Sequence, residues 1–297
     1  MSPAIPRVLL LGTLGRFSSA AFADLLRTTP VSAVAVPGRP LPHPQWQLPV
    51  TPPDGEAHLA GLARAADVPV LHVDGPEANG YAPLMAVDAE LILIACWPWR
   101  LPESVYGSPR LGCFNLHPSL LPAYRGPDPL FWQFHDGIQS GGVTLHQLVE
   151  QLDAGPIALQ EEFLLRDGIT EEETSQALGA LGGRLLLEAL RRVQRNDLSL
   201  RPQQEQAASV FGWPSAADFR FTAHGSARHG YNFIRAMDQR GQAFQLTALD
   251  GRYFEAHHAI GYDADAELSD PWKIQHGELW LQCSPGVLRV PAPTSTS

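Results

Sequence analysis

The stretch Arg7-Val8-Leu9-Leu10-Leu11-Gly12 is a continuous apolar run ending in glycine, as is typical of a strand buried on both faces of a parallel sheet. Helix-forming sequence follows, with Ser18 and Ser19 as candidate N-caps of a helix over about 20–27. A second apolar run, 31–36, comes directly after it. A strand, a helix and a second strand in this order predict a βαβ unit, from which doubly wound α/β sheets are built.

The same alternation of strands and helices continues to about residue 200, so we expect one α/β domain over 1–200 with a doubly wound, mostly parallel sheet. Residues 37–53 contain seven prolines, which excludes regular structure there. In such sheets ligands bind beyond the carboxyl ends of the strands, and functional residues are expected there. The remaining predicted elements are helices near 56–66 and 170–195 and strands at 68–73, 90–95, 111–116, 142–148 and 157–163.

Residues 204–297 follow a different pattern, after a polar segment at 197–213 that we interpret as a linker. Ser226 is a candidate N-cap for a short helix. Asp250-Gly251 lies between two strand-like runs and is a strong hairpin signal, and the turn sequence Ser284-Pro285-Gly286 lies between two more. These signals predict a small, mostly β second domain over 204–297.

The composition is that of a globular protein, with 44% hydrophobic and 18% charged residues in a chain of 297. The net charge is −10, and Lys273 is the only lysine. The three cysteines are widely spaced, which indicates neither a disulfide framework nor a paired-cysteine zinc site. No apolar run reaches the roughly 20 residues that span a bilayer, and the N-terminal sequence is unlike a signal peptide. We therefore expect a cytoplasmic protein with no membrane partner.

Two further motifs do not indicate sites. Gly12-Thr13-Leu14-Gly15 lacks the third glycine of the dinucleotide fingerprint, and a tight turn between strand and helix explains it. His257 and His258 are adjacent, so in a strand they point to opposite faces and cannot share a metal ion. The sequence predicts no metal site.

The densest group of polar residues is Asn115-Leu116-His117-Pro118-Ser119-Leu120-Leu121-Pro122-Ala123-Tyr124-Arg125-Gly126. Alternate residues of a strand share a face, so Asn115 and His117 point the same way. The loop 150–156 supplies a carboxylate, Asp153, which we expect at the same edge of the sheet. An amide and a protonated imidazole can stabilise an oxyanion, and a carboxylate can hold the imidazolium and help to move a proton. Together they can perform acyl transfer to an amine without a Ser or Cys nucleophile.

This motif, followed by Leu152-Asp153-Ala154-Gly155, resembles the folate-dependent formyltransferase family over roughly residues 7–195. It is similar both to the methionyl-tRNA type and to the glycinamide ribonucleotide type, and only the first has a second domain. The resemblance implies a Rossmann-like core, 10-formyltetrahydrofolate as co-substrate, and Asn115, His117 and Asp153 as catalytic residues. It further implies a folate site formed by Trp97, Pro98, Trp99, Arg100 and Leu101 with Leu148, Val149, Glu150 and Gln151, and a substrate loop that includes Ser119, Arg125 and Gly126.

The charge distribution argues against a polyanion as the formyl acceptor. Members that act on tRNA are expected to have a basic insertion after the second strand, but here 37–53 contains one arginine and no lysine. Residues 204–297 contain seven basic and ten acidic residues. We therefore expect a small amine, such as an amino sugar, an amino acid or a biosynthetic intermediate. The alternatives are a divergent methionyl-tRNA formyltransferase, a formyltetrahydrofolate hydrolase and a non-catalytic folate-binding module. The oligomeric state stays open.

Overall fold

The computed structural model describes residues 5–38, 57–75 and 80–293, so most of the proline-rich stretch lies outside the described residues. The chain divides into two compact units. The first comprises Met1–Pro129, Ser140–Leu164 and Glu172–Phe211. The second comprises Leu130–Gln139, Leu165–Glu171 and Gly212–Ser297.

The first unit is built on a seven-stranded sheet with the order β3-β2-β1-β4-β5-β6-β7. β1 to β5 pair in parallel, and β6 and β7 add to one edge as antiparallel strands. This arrangement confirms the predicted mostly parallel α/β sheet. Its strands are β1 Val8–Gly12, β2 Val31–Pro37, β3 Val70–Val73, β4 Leu91–Ala95, β5 Cys113–His117, β6 Ser140–Gln147 and β7 Ile157–Leu164. The helices before and after them are α1 Arg16–Thr28, α2 Leu59–Ala65, α3 Ala82–Met85, α4 Glu103–Tyr106 and α6 Glu171–Arg195, which begins in the second unit.

The central strands are apolar throughout because both faces of the sheet are covered, and every residue of β1 and β4 is buried. The expected caps of the first helix were wrong. The helix begins at Arg16 after Gly15, and the Ser18 hydroxyl donates to the Ala95 carbonyl at 2.7 Å instead. Ser19 donates to the Gly15 carbonyl. Both serines therefore satisfy buried carbonyls within the fold, a use that the local sequence pattern does not reveal.

The second unit contains α5 Pro129–His135, apart from its first residue, and α7 Ala227–Met237. Ser226 caps α7 as predicted, since its side chain accepts from the His229 amide. Two small sheets complete this unit, with the orders β10-β9-β8 and β11-β14-β13-β12. Both expected hairpins, β9–β10 and β13–β14, are confirmed as antiparallel pairs. The strands are β8 Arg220–Thr222, β9 Phe244–Thr247, β10 Tyr253–Ala256, β11 Gly261–Asp263, β12 Trp272–Gln275, β13 Glu278–Gln282 and β14 Val287–Pro291.

Within the described parts of the chain, no helix combines the length and the apolar character that a membrane span requires. The same residues contain no group of three or more His, Cys, Asp or Glu side chains arranged to hold a metal ion.

Candidate active site

Asn115 and His117 lie two residues apart in β5 and therefore share a face of the sheet. The strand extends to His117, so the polar motif begins inside it rather than after it. His117 is buried, and its Nε2 lies 2.7 Å from the Tyr124 carbonyl oxygen. A carbonyl can only accept, so Nε2 carries a proton and Nδ1 is the nitrogen that titrates.

Asp153 lies beside this nitrogen, with Oδ2 at 3.7 Å from His117 Nδ1. The same oxygen accepts a hydrogen bond from the Gly126 amide at 2.9 Å. Gly126 has a φ of +123°, and a Cβ at this position would lie 2.0 Å from the Phe211 carbonyl oxygen. Only glycine can therefore present its amide to Asp153 here. The structure brings the three residues predicted as catalytic into one buried site, although their roles stay predictions.

Burial and charge act in opposite directions on these groups. Burial lowers the pKa of His117, while the Asp153 carboxylate and the Tyr124 carbonyl oppose this by favouring the protonated ring. Burial alone raises the pKa of Asp153, but His117 and the Gly126 amide favour the ionised carboxylate, and that pKa lies below its ordinary value. Asp153 is thus a fixed negative charge beside an imidazole that can change its protonation state.

His146 belongs to this site, although no sequence motif pointed to it. It lies on β6 directly opposite Asn115, and its Nε2 lies 3.2 Å from the Asn115 Nδ2 and 3.5 Å from Asp153 Oδ1. Its Nδ1 donates to the Gln147 carbonyl at 3.1 Å. In the neutral ring Nε2 therefore accepts one hydrogen of the Asn115 amide and leaves the other available to a substrate. The only signal in the sequence was a histidine in a strand next to the catalytic strand.

The two segments predicted to hold folate lie next to each other. Arg100 donates to the Glu150 carbonyl at 3.3 Å and so connects them. Trp97 and Trp99 pack edge to face with ring centroids 5.5 Å apart, and both, together with Leu148, pack against a core cluster that contains Leu101. Val149, Glu150 and Gln151 are exposed, and Pro98 is half-buried. The segments thus present apolar rings beside exposed residues at the carboxyl edge of the sheet.

The three residues assigned to a substrate loop are held by the protein itself. Ser119 is fully buried, and its hydroxyl donates to the Ala123 carbonyl at 2.7 Å. Arg125 is 1% exposed, and its guanidinium donates to Glu205 and Gln203. Gly126 donates to Asp153, as described above. Their proximity to the site is clear, but the hydrogen bonds of these side chains stabilise the loop, and contact with a substrate stays a prediction.

The core, the paired segments and the buried amide–imidazole–carboxylate group define a class of acyl-transfer enzymes, and comparison with known proteins identifies the family. A family model described as formyl transferase matches residues 77–190. The methionyl-tRNA formyltransferase of Thermotoga maritima is 34% identical over 178 residues, which are 56% of this chain and 57% of that protein. The chain thus spans less than two thirds of that relative. The Bartonella bacilliformis methionyl-tRNA formyltransferase is 31% identical over 88% of this chain and 82% of its own.

Among solved structures, the N-formyltransferase of Helicobacter canadensis, in complex with folinic acid and dTDP-3-aminofucose, has a similar fold. The TM-score is 0.69 at 15% identity, covering 97% of this chain and 99% of that one. The protein belongs to the formyltransferase family that includes the methionyl-tRNA formyltransferases. The resemblance drawn from the motif is therefore confirmed.

Proposed function

We propose that this protein transfers a formyl group from 10-formyltetrahydrofolate to a small primary amine. The observation that carries the proposal is the buried group in which Asp153 lies within 3.7 Å of His117 and 3.5 Å of His146, with Asn115 bonded to the second ring. A carboxylate that is nine-tenths buried and next to two imidazoles is costly unless the site uses its charge. The supported roles are Asn115 and protonated His117 as donors, and Asp153 as the group that holds the imidazolium.

The folate would supply an activated formyl group, and the residues present fit such a ligand. The Trp97 Nε1 is buried and has no acceptor in hydrogen-bond geometry among the described residues. The Tyr81 hydroxyl lies nearby and donates to the Arg100 carbonyl at 2.8 Å. Burial raises the pKa of Tyr81, and the Trp97 indole lowers that pKa in part. The apolar rings of this segment suit a heteroaromatic ligand, and Trp97, Pro98, Trp99, Arg100 and Leu101 with Leu148, Val149, Glu150 and Gln151 would enclose it.

The residues of the chain would then act on the amine and on the formyl oxygen. The Asn115 hydrogen not used by His146 and the Nδ1–H of protonated His117 can donate to the oxygen that gains charge during acyl transfer. Asp153 stabilises the protonated ring, because the two side chains are only 5% and 7% exposed and are weakly screened by water. As the new C–N bond forms and the bond to the folate nitrogen breaks, protonated His117 would pass its Nδ1 proton to that nitrogen and, once neutral, take the proton that the amine loses, while Asp153 stays ionised.

A small acceptor is favoured over tRNA because two arginines of the first unit are paired with carboxylates and not free for phosphates. Arg125 is bonded to Glu205, and Arg16 at the start of α1 lies 2.6 Å from Glu172. The net charge of −10 adds general repulsion of a polyanion. An amino sugar is in line with the Helicobacter canadensis enzyme, whose structure holds dTDP-3-aminofucose. A divergent methionyl-tRNA formyltransferase is the second candidate, and the identity of 31% over most of the chain favours it.

The test follows tetrahydrofolate release from 10-formyltetrahydrofolate with a panel of nucleotide-linked amino sugars, free amino acids and charged initiator methionyl-tRNA. Release that depends on a small amine and changes little with salt is expected. Release with tRNA only, falling steeply as salt increases, would establish the second candidate. Release without any amine would identify a hydrolase. Binding of the folate in equilibrium dialysis without any release would leave a binding module.

A further inference from the structure

The segment 201–211, which we interpreted as part of a linker, instead lies along the catalytic loops of the first unit. We call it the strap. The Ser209 carbonyl accepts from the Arg125 amide and the Phe211 amide donates to the Arg125 carbonyl, both at 2.9 Å. The Phe211 ring stacks on Tyr124 with centroids 5.5 Å apart. The strap therefore holds the backbone whose Tyr124 carbonyl fixes His117.

Gln203 is the residue of the strap that contacts both catalytic loops. Its amide nitrogen donates to the Asp153 and Gly155 carbonyls, both at 2.7 Å. Its amide oxygen accepts from Arg125 Nη2 at 2.8 Å and from Nε at 3.1 Å. One side chain thus uses both donor hydrogens and two acceptor positions, which is the full capacity of an amide.

These four bonds connect the loop of Asp153 with the loop that binds its carboxylate. Arg125 lies between Tyr124, whose carbonyl accepts from His117, and Gly126, whose amide donates to Asp153. A shift of either loop would lengthen the 3.7 Å separation between His117 and Asp153. Acyl transfer is sensitive to such shifts, since a misplacement of about 1 Å can reduce a rate about 100-fold.

We propose that Gln203 is a positioning residue for formyl transfer, which it serves by fixing the two loops that hold His117 and Asp153. Gln204 is a matched control, because it is the next residue, has the same side chain and is exposed. Gln203→Met removes all four bonds at similar side-chain length. Gln203→Glu retains the acceptors for Arg125 but turns an oxygen that cannot donate towards the Asp153 and Gly155 carbonyls, so it releases the catalytic loop while the strap stays bonded to Arg125.

The inference rests on the proposed function for its kinetic readout, and hydrogen exchange of the Gly126 amide in the free protein provides a second one. We expect Gln203→Met and Gln203→Glu to lower kcat about 100-fold with little change in KM for 10-formyltetrahydrofolate, and to accelerate Gly126 exchange. Gln203→Glu should lower Tm less than Gln203→Met because it keeps the bonds to Arg125, and Gln204→Met should match the wild type throughout.

Two results would overturn the inference: kcat of Gln203→Glu within threefold of Gln204→Met, or unchanged exchange of the Gly126 amide in both Gln203 variants. If Gln203→Met does not fold, Gln203→Glu alone decides. If wild type and Gln204→Met both fail to release tetrahydrofolate, the proposed function is wrong, and the exchange of Gly126 still decides whether Gln203 positions the loops.

Discussion

Replacing Asp153 with Asn tests the electrostatic reasoning with little change of shape. The amide oxygen of Asn can still accept from Gly126, so the loop can keep its 2.9 Å bond. What is lost is the negative charge 3.7 Å from His117 Nδ1. Two unit charges about 4 Å apart interact by about 4 kcal/mol at an effective dielectric constant near 20. Since about 1.4 kcal/mol corresponds to a factor of ten, the expected loss in kcat is on the order of 10³.

The pH dependence gives a sign as well as a magnitude. The Asp153 carboxylate raises the pKa of His117, so this pKa falls in Asp153→Asn. If protonated His117 is required, the basic limb of the kcat/KM profile moves to lower pH, because the ring loses its proton earlier. The assay is tetrahydrofolate release at amine concentrations well below KM over a range of pH.

A second substitution controls for the general effect of removing a hydrogen-bonded carboxylate. Asp167 in the second unit accepts from Arg228 at 2.7 Å, from Asn232 at 2.9 Å and from the Tyr262 hydroxyl at 2.7 Å. Asp167→Asn should lower Tm and leave kcat unchanged. Asp153→Asn with kcat within tenfold of the wild type would refute the reasoning. Movement of the acid limb to lower pH instead would show that neutral His117 acts as a base.

Two further substitutions test how the site is supported. His146→Leu removes the acceptor of the Asn115 amide. It should reduce kcat by on the order of tenfold with little change in KM for folate, as measured by steady-state kinetics. An unchanged kcat would mean that other groups orient Asn115. Gly126→Ala places a methyl group 2.0 Å from the Phe211 carbonyl oxygen, so it should lower both kcat and Tm, whereas Gly212→Ala, where a Cβ meets nothing within 4 Å, should change neither. Activity of Gly126→Ala equal to that of Gly212→Ala would show that the Gly126 amide is not needed by Asp153.

The sheet and the shared face of Asn115 and His117 could be predicted because they depend on local pattern. A continuous apolar run such as Val8–Gly12 has few stable positions other than a strand covered on both faces. His146 could not be assigned, because its position opposite Asn115 depends on the register between β5 and β6, and residues 31 apart in the chain set that register. Ser18 was misassigned for a similar reason, since its partner, Ala95, is 77 residues away.

The strap shows why the catalytic motif alone does not define a working site. Tyr124 and Asp153 both adopt left-handed backbone conformations, with φ of +59° and +51°, although neither is glycine. Such conformations cost on the order of 1–3 kcal/mol each and persist only where neighbouring groups hold them. Here Ser209 accepts from the Tyr124 amide and Gln203 donates to the Asp153 carbonyl, both from outside the motif. A chain that kept Asn115, His117 and Asp153 but lost these contacts would retain the chemical groups without their geometry.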